Sequence, residues 1–148
     1  IFAAVLDRPD VPTPVRDRAR FYLGKVWYQR GYYEDAVATL AAAGRAGLTT
    51  EMEAERRLLL AQSLLRQGKY DEAIRSLEGW QGPRTWSAYA QFNLGVALVR
   101  NGRLAEGAKM LDAVGQLERT TPELVALRDK ANLALGYAYL QADRPLDA

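Results

Sequence analysis

The sequence predicts an all-α fold built as a stack of about three and a half helix–turn–helix repeats, and three observations predict it. The first is a recurring phrase. Leu23-Gly24-x-x-Trp27-x-x-x-Gly31-x-Tyr33-x-x-Ala36 returns as Leu60-Ala61-x-x-Leu64-x-x-x-Gly68-x-Tyr70-x-x-Ala73, and again as Leu94-Gly95-x-x-Leu98-x-x-x-Gly102-x-Leu104-x-x-Gly107. A fourth copy opens at Leu135-Gly136-x-x-Tyr139 and runs to Ala148. The second is the spacing of 37, 34 and 41 residues between successive copies, the length of a helix pair. The third is composition: 49% of the 148 residues are hydrophobic, enough for a continuous apolar core.

Turn and cap signals place the elements in order. The first helix is expected from Pro14, with Thr13 as N-cap, to about Arg30, where Gly31 stops it. Its partner runs from Tyr33 to Ala43, with Glu34 and Asp35 at the positive end of the helix dipole, and Gly44 and Gly47 close it. The second pair spans Thr50–Gln67 and Tyr70–Glu78, where Thr50 and Glu53 have the spacing of a capping box. The third spans Trp86–Arg100 and Leu104–Leu117. The fourth begins with Thr121 as cap and Pro122 in the first turn and ends near Gln141, with Pro145 opening another helix. These elements make one domain over 1–148: a tail of a preceding repeat (1–12), repeats at 13–47, 48–83 and 84–118, and a partial repeat at 119–148.

The surplus residues before Leu60 and Leu135 amount to about one and two helical turns, so the first helices of the second and fourth pairs are expected to be elongated at their starts. The small residues have a packing role. Gly24 is expected to face Ala36, Ala61 to face Ala73, Gly95 to face Gly107, and Gly136 to face Ala148, because two helices approach closely only where neither carries bulk. Leu23, Trp27, Leu60, Leu64, Leu94, Leu98 and Tyr139 are expected to fill the core between pairs.

Composition excludes much chemistry. There is no Cys and no His, which removes disulfides, thiolate nucleophiles, Ser-His triads and nearly all transition-metal sites. No metal or cofactor is expected. Twenty basic and 18 acidic residues are interspersed, so the concentrated positive surface of a nucleic-acid binder is missing. No apolar run reaches the roughly 18 residues of a membrane span. Sixteen Arg against four Lys, with abundant Ala and Leu, reads as a GC-rich bacterial coding bias. Absent cysteine fits either redox compartment and leans toward the periplasm or envelope. The chain opens at Ile1 without an initiator Met and reads as a segment of a longer protein.

The recurring phrase resembles the tetratricopeptide repeat over residues 17–148. It departs from that family where a frequent Trp is replaced by Arg20, Arg57, Gln91 and Asn132. The resemblance implies a right-handed α–α superhelix, no catalytic activity, and binding of a protein or peptide along a concave groove lined by the first helices. The groove residues it implies are Phe21, Lys25 and Tyr28; Leu58, Gln62 and Arg66; Tyr89, Phe92, Asn93, Val96 and Arg100; and Lys130, Leu133 and Tyr137. Val99 and Leu140 lie on the same strip. Apolar anchors would hold a peptide or amphipathic helix there, with Arg and Lys fixing its acidic groups. The bland alternative is that these side chains only pack against neighbouring helices. The carboxylate clamp of chaperone-binding members is not expected, because of its five places Leu58, Gln62, Asn93, Lys130 and Ala134 only Asn93 and Lys130 match.

The acidic pairs Glu34-Asp35 and Asp71-Glu72 repeat at helix starts, so dipole complementarity explains them and catalysis does not. The leading expectation is a non-catalytic protein-interaction scaffold in a bacterial, possibly envelope, multiprotein assembly. Alternatives are a regulatory or spacer domain of a larger enzyme, a module that self-associates through open repeat ends, and glycan binding by Trp80, Trp86 and Arg84.

Overall fold

The computed structural model describes residues 8–116 and 121–147; the side chains of Thr85 and of residues 141–147 lie outside that description. The described residues form seven α-helices and no strand: α1 Thr13–Gln29, α2 Tyr33–Ala42, α3 Thr50–Arg66, α4 Tyr70–Leu77, α5 Arg84–Arg100, α6 Leu104–Gly115 and α7 Pro122–Asp147. They divide into two compact units, residues 1–83 and 84–148. In the first, α1 pairs with α2 and α3 with α4, while α3 also packs on α2 and touches α1. In the second, α5 pairs with α6, and α7 lies against both.

The recurring phrase has a local cause. Each first helix of the three complete hairpins ends at a glycine with positive φ: Gly31 at 82°, Gly68 at 75° and Gly102 at 86°. There the amide two residues past the helix cap reaches back to a carbonyl in the last turn: Tyr32 to Trp27, Lys69 to Leu64 and Arg103 to Leu98, all at 2.9 Å. This is the Schellman turn, and it accounts for both the glycine and the apolar residue four positions earlier. In the first hairpin the two ends of the turn also meet as rings, with Trp27 edge-on to Tyr32 at 5.5 Å.

Leu23, Leu60 and Leu94 are each the eleventh residue of their helix, and all three helices hold 17 residues. The expected elongation of the second pair's first helix is therefore absent. Its surplus lies in a longer α2, 10 residues against 8 in α4, and in the connection that follows. Leu135 is the fourteenth residue of α7, so the fourth first helix does gain a turn at its start; the rest of that surplus lengthens α6 to 12 residues. Second helices absorb length readily because extension carries them past the close crossing.

Three helix ends depart from expectation. Thr13 is already helical, and Pro12 precedes it without any side-chain cap. Pro14 has no N–H, so one amide that a cap would satisfy does not exist. Thr49, not Thr50, caps α3 by accepting from the Met52 amide at 3.1 Å, and Glu53 turns instead to Arg56. Thr121 caps α7 as expected, accepting from Leu124 at 3.2 Å. Helix α7 continues through Pro145 to Asp147 rather than restarting there. Residues 1–7, read as the tail of a preceding repeat, and Leu117 lie outside the described residues.

In the first unit the core centres on Phe21, Leu40 and Leu77, all under 3% exposed. The second unit buries Val99, Leu111, Val114, Leu127, Ala131 and Ala138 together. The close crossing of α5 and α6 falls at Gly95 and Gly107: a Cβ on Gly107 would lie 2.8 Å from the Gly95 carbonyl. Ala61 and Ala73 are both fully buried. Gly24 instead meets Leu40, one turn beyond Ala36, because that side chain fills the gap. Gly136 faces open space, and Ala148 lies outside the described residues.

Candidate interaction surface

The first-unit part of the expected groove does not form as a row of free anchors. Phe21 is 1% exposed and Leu58 8%, so both belong to the core rather than to a surface. Lys25 is already paired, its Nζ 2.7 Å from the Glu55 carboxylate across α1 and α3. Tyr28 is half-buried and edge-on to Tyr33 at 5.8 Å, while the Arg66 guanidinium lies 5.7 Å over the Tyr33 ring. Burial pushes the Tyr28 phenol up, Tyr33 adds to this, and Arg66 opposes it. Gln62 is half-buried between Leu58 and Arg66 along α3.

The second-unit residues separate by helix. On α5, Tyr89, Phe92 and Val96 pack against the core, Asn93 is 8% exposed, and Val99 belongs to the core itself. These side chains pack within the second unit, where α7 lies against α5. Arg100 is exposed at the end of α5. On α7 the reverse is true. Lys130 is exposed, and Leu133, Tyr137 and Leu140 are exposed by 64%, 62% and 64%. Tyr139, expected in the core, is 57% exposed as well.

Three of the four replacements of the family's Trp, those in the complete hairpins, donate to a backbone carbonyl of the second helix of their own hairpin or just beyond it. Arg20 donates to the Ala42 carbonyl at 3.4 Å, Arg57 donates to the Ser76 carbonyl at 2.9 Å and to that of Glu78, and Gln91 donates to the Met110 carbonyl at 3.4 Å. Arg20 and Arg57 reach the C-terminal end of the second helix of their own hairpin, where carbonyls lack helical partners, while Gln91 meets the middle of α6. The signal was present in the sequence as polar residues at one register position. Burial pulls the Arg57 guanidinium down, the Glu53 carboxylate opposes this, and the charges of Arg56 and Arg45 add to it. Replacing Arg57 with Ala is expected to cost about 2 kcal/mol in urea denaturation, as two charge-assisted hydrogen bonds are lost. A loss below about 0.5 kcal/mol would make these contacts incidental.

A second network ties the two hairpins of the first unit together. Arg56 forks onto Glu53, Nε to Oε2 at 2.7 Å and Nη2 to Oε1 at 2.8 Å, and its third arm donates to the Leu40 carbonyl at 2.9 Å. Arg45 stands 3.5 Å from the same carboxylate. Beside it lies a hollow of about 340 Å³ bordered by Arg45, Thr49, Glu53, Arg57 and Gln81, whose charges are already engaged in these pairs. Asp17, 2% exposed, accepts from the Gly44 amide at 3.0 Å and orders the connection after α2. Trp80 donates its indole N–H to the Ala54 carbonyl at 2.9 Å, and Gly82 tucks against its ring. It therefore seals the end of the second hairpin.

No described group of three or more acidic side chains could hold a metal ion, and no described helix is long and apolar enough to cross a membrane. Three hairpins with one register and one turn identify a helical repeat array, and family models agree. A model for the anaphase-promoting complex, cyclosome, subunit 3, matches residues 12–80, and one for the tetratricopeptide repeat matches residues 58–117. The chain is a tetratricopeptide-like helical repeat protein. No curated protein shows significant sequence similarity to it. The first match spans both hairpins of the first unit, and the second runs from the middle of α3 past the end of α6. Tetratricopeptide repeats mediate protein–protein interaction, and families built from them are typically non-catalytic scaffolds.

Proposed function

We propose that this repeat protein is a non-catalytic interaction module that binds a peptide, helix or subunit of another protein. The observation that carries this reading is the outer side of α7, where Leu133, Tyr137 and Leu140 stand more than 60% exposed beyond the core. Three large apolar side chains exposed together on one helix face mark a surface that another helix or protein covers. Phe92 and Phe21 support the core instead, so the binding strip lies on α7 and not along α1 and α5.

The test is capture from extract of the native host by the immobilised full chain and by its Leu133→Ser/Tyr137→Ser variant. The variant is expected to keep its far-ultraviolet circular dichroism and to lose the captured protein. A partner held equally by both chains would overturn the assignment to α7, and no saturable partner would overturn the interaction reading.

A further inference from the structure

We infer that the hollow beside the Arg56–Glu53 fork binds a phosphomonoester dianion, gripped by Arg45 and Arg57. This site is separate from the α7 surface and does not depend on it. It lies wholly within the first unit and is bordered from three places: Arg45 in the connection after α2, Thr49, Thr50 and Arg57 at and after the start of α3, and Gln81 in the connection after α4.

The charges there are paired but not balanced. Glu53 has both carboxylate oxygens on the Arg56 fork, at 2.7 and 2.8 Å, so these two charges cancel. Arg45 stands 3.5 Å from that same, already satisfied carboxylate. Arg57 spends its Nε and Nη2 on the neutral carbonyls of Ser76 and Glu78. Two guanidinium charges are left over. The neighbouring acids do not offset them: Glu55 pairs with Lys25, while Glu51 and Glu78 are exposed and do not border the hollow. An excess of two positive charges matches a dianion rather than a single carboxylate, and guanidinium forks suit phosphate oxygens.

Apart from Glu53, the polar side chains around the hollow are hydrogen-bond donors with capacity to spare. Arg45 keeps both Nη groups, and Arg57 its Nη1, without a partner among the described residues. Thr49 Oγ1 already accepts from the Met52 amide, which leaves its hydroxyl proton to donate. Thr50 and Gln81 add a hydroxyl and a side-chain amide, neither of them partnered among the described residues. A phosphomonoester brings the complement, about two negative charges and three strong acceptor oxygens at neutral pH. The volume of about 340 Å³ lies at the lower end for ligand sites and leaves room for the group that carries the phosphate.

The test titrates the isotope-labelled full chain at neutral pH with inorganic phosphate and with an acetylated phosphoserine amide, and follows backbone amides at constant ionic strength. Saturable shifts are expected at Arg45, Thr49, Thr50, Gly79 and Gln81. The Arg45 side chain is 80% exposed, so Arg45→Gln is expected to fold unchanged and to weaken both probes about tenfold. Arg30→Gln removes the same charge at the opposite end of the first hairpin, beside the Gly31 turn, and is expected to leave binding as it was. Tighter binding of the phosphoserine amide would support the site with a phosphorylated side chain of a partner as its source. Equal binding of the two probes would support it with a free phosphate compound. Shifts that do not saturate or fall elsewhere, an equal response to acetate, or equal losses in both variants would overturn the site. Should Arg45→Gln lose helicity, the shift map of the unsubstituted chain decides alone.

Discussion

Replacing Gly107 with Leu is expected to cost the second unit about 3 kcal/mol, at the upper end of ordinary overpacking. Even the first carbon of a side chain there would lie 2.6 Å from Val99 Cγ2 and 2.8 Å from both the Gly95 carbonyl and the Val99 amide nitrogen. Two of these neighbours are backbone, so no rotamer change relieves the clash and the helices must separate. Gly95→Leu is expected to cost less, about 1–3 kcal/mol, because its Cβ would meet the Leu111 side chain at 3.0 Å and backbone only at 3.4 Å. Gly136→Ala marks the opposite limit: nothing lies within 4 Å, and removing a glycine from a helix interior stabilises by about 0.5–1 kcal/mol. Urea denaturation of the three variants checks the order. Equal losses at Gly107 and Gly136 would show that crossing distance does not govern these positions.

Arg56→Ala is expected to destabilise the first unit by about 3 kcal/mol at neutral pH, the lower end for breaking a largely desolvated ion pair. The Arg56 and Glu53 side chains are only 12% and 19% exposed, so removal strands the carboxylate and the Leu40 carbonyl with little access to water. The pH dependence carries the signature. Burial pushes the Glu53 carboxyl up, but the Arg56 hydrogen bond and the charges of Arg56, Arg45 and Arg57 outweigh it, holding the group below its ordinary 4.5. A carboxyl lowered on folding stabilises fully above its unfolded value and loses that contribution as pH falls through the folded one. The gap between wild type and Arg56→Ala is therefore expected to be widest above 4.5 and to narrow as the medium becomes more acid. Thermal denaturation across that range measures it; a gap independent of pH would mean that Arg56 acts through packing alone.

Much of the array was legible in the chain because it is written in neighbours. The Gly31, Gly68 and Gly102 turns, the acidic starts of the second helices and the small residues at 95 and 107 follow from contacts within about one hairpin. The candidate site was less legible. Phe21 and Leu133 occupy the same register position, yet one is 1% exposed and the other 64%. Nothing local distinguishes them, since each is an apolar residue on the same face of a first helix. Which is covered depends on the helices around it. The hydrogen bonds of Arg20, Arg57 and Gln91 to carbonyls of the second helix of their own hairpin were visible only as a departure from a family pattern, because the acceptors lie 19 to 22 residues away in the chain.

Helix content, turn positions and repeat register come from backbone dihedral preferences and apolar spacing, which act within a few residues, and the amino-acid order sets them unaided. Burial of Phe21, neutralisation of Lys25 by Glu55 and the Arg56 bridge to Leu40 were settled only when distant helices met. Desolvation and pairing depend on what arrives from elsewhere in the fold, and identical local sequence patterns therefore end as core in one repeat and as surface in another.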